Sequence, residues 1–92
     1  MDTWTKREDW PRTFFSDAYL GLDDEPWVAE ARETKSCLLL VGTEDTPGGP
    51  ARWAVDYLDK EAFIYNIVTT AGATSIEQAK ALCDAVAAIL EA

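Results

Sequence analysis

The stretch Gly72-Ala73-Thr74-Ser75-Ile76-Glu77-Gln78-Ala79-Lys80 constrains the fold more than any other part of this chain. It reads as the entry to an amphipathic helix. Thr74 can cap the first turn, and Glu77, three residues on, can reach back to it as in a capping box. Ile76, Ala79, Cys83, Val86 and Leu90 then recur at spacings of three and four, with Leu82 and Ile89 beside them. That is a single apolar stripe, so the helix must lie on something apolar. A helix over 74–91 is expected.

The segments before it read as strands. Phe63-Ile64-Tyr65-Asn66-Ile67-Val68-Thr69 is rich in β-branched and aromatic residues. Cys37-Leu38-Leu39-Leu40-Val41 is continuously apolar, as a strand buried on both faces would be, and Gly42 is expected to end it. In Trp27-Val28-Ala29-Glu30-Ala31-Arg32 the alternation puts Trp27, Ala29 and Ala31 inward and Glu30 and Arg32 towards water. Ala51 to Leu58 alternates as a strand, with Trp53, Val55 and Tyr57 on one side. A short helix from Pro50 fits the same residues. Thr13 to Leu22 is similarly open. Phe14, Phe15, Ala18 and Tyr19 have helical spacing between Pro11 and Gly21, whereas the meander around them favours a strand.

Asp23-Asp24-Glu25-Pro26 and Glu44-Asp45-Thr46-Pro47-Gly48-Gly49-Pro50 have turn and loop chemistry, and Asp59-Lys60-Glu61 turns the chain again. The expected architecture is a single α+β domain. Residues 1–12 form an N-terminal arm whose Trp4 and Trp10 dock on the body. Residues 13–70 form an antiparallel meander of four to five strands, and one C-terminal amphipathic helix packs on one face. One helix covers one side of a sheet. The second face needs the arm, a second copy of the chain or a partner, because soluble monomers avoid large bare apolar faces.

Functional classes narrow by chemistry. The 92 residues contain no histidine, which removes the commonest general base and metal ligand and every Ser-His or Cys-His arrangement. Gly42, Gly48 and Gly49 match neither a P-loop nor a dinucleotide fingerprint. The acidic clusters lack the alternating oxygens, glycine and terminal glutamate of an EF-hand loop. Cys37 and Cys83 lie in apolar segments without metal spacing and read as two buried thiols. No catalytic residue, cofactor or metal is expected.

Seventeen acidic residues face eight basic ones, for a formal charge of −9. Such a field repels nucleic acid and anionic membranes and attracts basic protein surfaces. No apolar run approaches the roughly 20 residues of a membrane helix. The charged start Met1-Asp2-Thr3-Trp4-Thr5-Lys6-Arg7-Glu8-Asp9 is unlike a signal peptide, so a cytoplasmic location is expected. The carboxylates fall in groups: Asp23, Asp24 and Glu25; Glu44 and Asp45; and Asp56, Asp59 and Glu61 near the last hairpin. In a meander alternate turns share an end of the sheet, so groups distant in sequence can converge. Solvated turns are the plainer reading of any one group. Together with the net charge they suggest a partner-binding surface that imitates phosphate charge.

The segment 72–81, after Leu40-Val41-Gly42, Trp53 and Val55, resembles the end of small phage and prophage proteins, in which a strand runs through a glycine-alanine turn into a capped helix. Partial RNase-H-like antitoxin domains and small phage inhibitors of host defence share the pattern. Anti-CRISPR proteins are similar in size, acidity and lack of catalytic motifs. The matched positions are structural, and no functional residue carries over. The resemblance implies a non-enzymatic inhibitor that binds the basic surface of a nucleic-acid-handling protein, with a CRISPR effector as one candidate, in a host cell's cytoplasm. A homodimeric structural or antitoxin-like interaction module is the alternative.

Overall fold

A computed structural model describes residues 3–10, 26–43, 50–58 and 64–92, with backbone alone for 64–66. Five strands form one antiparallel sheet in chain order: β1 (Thr5–Lys6), β2 (Val28–Glu33), β3 (Cys37–Thr43), β4 (Ala51–Leu58) and β5 (Ile64–Thr69). Helix α1 (Ile76–Leu90) follows and packs across β3 and β4. The α+β meander with one C-terminal helix on one face is therefore the fold.

β3 is the centre. Cys37, Leu39 and Val41 point to the helix side and join Trp53, Val55, Ala79, Cys83 and Ala87 in one buried cluster. Leu38 and Leu40 point the other way and join Val28, Ala31 and Ala54 in a second. The unbroken apolar run is thus explained by two covered faces. Ala51–Leu58 is a strand. Its register opposite β3, Val41 to Trp53 and Leu39 to Val55, sends Trp53, Val55 and Tyr57 to the helix side.

The N-terminal arm clasps the edge of the sheet. Its short strand pairs Thr5 with Ala31 and Lys6 with Glu30. A 3-10 turn over Arg7–Asp9 follows. Trp4 packs on the helix-side cluster, and Trp10 packs with Trp27 and Leu58 on the second. Trp10 Nε1 donates to Thr5 O at 3.0 Å, and Arg7 Nη1 donates to Val28 O at 3.0 Å. The arm's tryptophans dock as expected, one on each face.

Three local expectations are corrected. First, Glu30 and Arg32 do not face water, nor do Trp27, Ala29 and Ala31 share an inward face. The pairing of β2 with β3 shifts between Val28 and Glu30. This bulge resets the alternation, buries Val28, Ala31 and Glu33, exposes Ala29, and turns Glu30 and Arg32 towards the helix. Second, Gly42 does not end β3 but sits within it, opposite Val28. Third, Ser75 rather than Thr74 is the N-cap. Its hydroxyl accepts from Gln78 N at 3.2 Å, while Gln78 Oε1 accepts from Thr74 N at 2.8 Å. The cap thus stands one residue later than Thr74 and Glu77 imply, and the returning side chain, Gln78, reaches the N–H of Thr74 rather than that of the cap residue itself. The segment 13–22 lies outside the described residues.

Candidate functional site

Most cations of the described residues are held by their neighbours. Arg32 Nη1 lies 2.6 Å from Asp84 Oδ1, and Lys80 Nζ lies 3.1 Å from Glu30 Oε1 and 3.7 Å from Glu77. The two cross-links are complementary. On β2 the acid precedes the base by two residues, and on the helix the base precedes the acid by four, so neighbours of opposite sign meet twice. Lys80 Nζ also stands 5.8 Å from the centre of the Trp4 ring. Arg7 lies over Trp10 at 5.3 Å and Arg52 over Trp27 at 4.7 Å.

At the far end of the helix, Glu91 reaches the turn between β2 and β3. Its Oε1 accepts from Ser36 N at 2.6 Å and from the Thr34 hydroxyl, which itself accepts from Cys37 N. Burial opposes the charge on Glu91. Hydrogen bonds from Thr34, Ser36 and Cys37, with Lys35 nearby, outweigh it and hold its carboxyl below the usual carboxylate range.

Both thiols are free and buried. Burial pushes Cys37 up to about 11, and Cys83, its sulfur 3.7 Å from the carbonyls of Leu40 and Ala54, up to about 12. Neither holds the thiolate that nucleophilic chemistry needs near neutral pH. Among the described residues no group of three or more Cys, Asp or Glu stands close enough together to hold a metal ion. No helix among them is long and apolar enough to cross a membrane.

Of the eight partner-binding candidates, Asp56 alone falls in the described residues. It sits half-buried on β4, opposite Leu38 and Asn66, on the face away from the helix. Asp23, Asp24, Glu25, Glu44, Asp45, Asp59 and Glu61 lie outside the described residues. The strand ends beside them in sequence are placed. β2 begins where β3 ends, with Val28 opposite Gly42, and β4 ends at the other side of the sheet, where Leu58 N donates to Ser36 O at 2.9 Å.

No family model, curated protein or solved structure matches this chain. The functional reading therefore rests on its own residues. Sequence reasoning missed the helix-side network of Glu30, Arg32, Lys80 and Asp84. The i, i+4 pair Lys80 and Asp84 was the available signal, since it mirrors the charges of Glu30 and Arg32.

Proposed function

We propose that this chain is a non-enzymatic inhibitor of phage or mobile-element origin, of the anti-CRISPR kind. It binds a nucleic-acid-handling effector through its carboxylates and occupies the surface that would otherwise hold nucleic acid. The observation that carries this reading is the division of charge. Nine of the 17 carboxylates but only two of the eight basic residues lie in 1–2, 11–25, 44–49 and 59–63, so these stretches carry −7 of the −9. Among the described residues, Arg32 and Lys80 are matched to carboxylates, and Arg7 and Arg52 lie on tryptophan rings.

Asp23-Asp24-Glu25 leads into β2 and Glu44-Asp45 leads out of β3. These are the two strand ends that Val28 and Gly42 bring side by side. A groove built to attract phosphates attracts such carboxylates by the same field, which raises the association rate and fades with salt. Rim charges steer, while most of the affinity comes from buried aromatic anchors.

The test is competition. Guide-loaded CRISPR effectors are mixed with labelled target DNA, with and without an excess of this protein, in both orders of addition. The proposal expects DNA binding to be lost when the protein is added first. DNA binding left intact across the panel contradicts it.

A further inference from the structure

Glu91 sits where its own helix disfavours it. It follows Leu90 as the C-cap of α1, and its N–H donates to Ala87 O at 2.9 Å. The carbonyl end of a helix carries partial negative charge and favours cations, yet the last turn of α1 contains no basic residue. The chain as a whole adds its −9 to that field. A carboxylate held below its usual range at such a place is held by the surface it touches.

That surface is the turn between β2 and β3, and its donors are fixed by bonds that do not involve Glu91. Thr34 N donates to Cys37 O at 2.9 Å and closes the turn. Cys37 N donates to the Thr34 hydroxyl oxygen at 3.2 Å, which leaves the hydroxyl proton for Glu91 Oε1. Ser36 O accepts from Leu58 N at 2.9 Å, so β4 holds Ser36 in place while Ser36 N donates to the same Oε1 at 2.6 Å. Lys35, exposed in the turn, adds positive charge nearby. Two fixed donors therefore converge on one oxygen position beside a cation, as in turns that bind anions. Thr34, Ser36 and Glu91 are each half-buried, so a small solute can reach this position once the glutamate side chain is gone.

We infer that this turn is a carboxylate-binding site in its own right, filled in the folded chain by Glu91, and that the end of α1 is a latch seated in it. The inference does not depend on the proposed inhibitor function. The turn supplies every donor, so a free carboxylate takes the place of the Glu91 side chain when that side chain is removed. While it is present, a ligand already oriented on the same chain excludes a free one.

The experiment titrates sodium acetate into the wild type, Glu91→Ala and the double variant Glu91→Ala/Thr34→Val, with sodium chloride at equal ionic strength as the reference. The Ser36 amide is followed by NMR, and stability by the urea midpoint. In Glu91→Ala, acetate is expected to shift the Ser36 amide saturably, with half-saturation on the order of tens of millimolar. It should also raise the midpoint above its value in chloride. In the wild type both readings stay where chloride leaves them. The double variant lacks one of the two donors and should bind acetate about tenfold more weakly. If Glu91→Ala is unfolded in chloride, far-UV circular dichroism reads the same linkage, because a ligand of the folded form restores the helix signal. A Ser36 amide, or in that case a helix signal, that acetate moves no more than chloride does overturns the inference. So does a response of equal size in the wild type or in the double variant.

Discussion

Gly42 lies against the backbone of Trp27 so closely that a β-carbon at position 42 would collide with the Trp27 carbonyl oxygen. The contact accompanies the bulge that turns Glu30 and Arg32 towards the helix. Backbone cannot yield as a flexible side chain does. Gly42→Ala is therefore expected to cost about 3 kcal/mol, read as a lower midpoint in urea. A midpoint equal to that of the wild type would show that β2 and β3 separate freely there.

The cross-links between strand and helix give a second expectation. A double-mutant cycle on Arg32→Ala and Asp84→Ala should return a coupling of about 0.5–1 kcal/mol, since the pair is partly exposed and screened by solvent. The coupling should shrink in high salt. Additive single effects would mean that the pair contributes nothing to docking of the helix.

Glu91 makes stability depend on pH. Its carboxyl is held below 4.5 in the folded chain, so it contributes stability that is present above pH 4.5 and is lost as pH falls through the folded value. Glu91→Gln keeps the shape and removes the charge. It should destabilise by about 1 kcal/mol near neutral pH, and the difference from wild type should close in acid. Urea titrations at both pH values measure this. An equal gap at both would place the effect elsewhere than in the charge.

Much of this architecture was legible because its signals were local and doubled. Cys37-Leu38-Leu39-Leu40-Val41 is apolar in both registers because both faces are covered. The stripe of Ile76, Ala79, Cys83, Val86 and Leu90 names the buried side of the helix, and Trp4 and Trp10 name the arm's contacts. What escaped was non-local. No alternation rule foresees a bulge at Ala29, because it goes with a contact between strands, the approach of Trp27 to a glycine on β3. The cap escaped for another reason. Thr74 with Glu77 and Ser75 with Gln78 have the same spacing, so spacing does not choose between them. Of the acidic candidates, Asp56 alone lies among the described residues, on β4.

The thiols give a fourth expectation. Cys37 and Cys83, pushed up to about 11 and 12 and buried, should stay unreactive towards a disulfide reagent at neutral pH in the folded chain. Both should react once denaturant opens it. Fast labelling of the native protein would place a thiol at the surface.

The central claim is that the carboxylates of Asp23, Asp24, Glu25, Glu44 and Asp45 capture a basic effector. The most direct measurement compares the wild type with a chain neutralised at Asp23, Asp24, Glu25, Glu44 and Asp45 (Asn for Asp, Gln for Glu) in displacement of DNA from a CRISPR effector. Both should give the same far-UV spectrum. The account predicts that the wild type displaces DNA, less effectively as salt rises, and that the neutralised chain does not. Equal displacement by both chains, or none by the wild type, would contradict it.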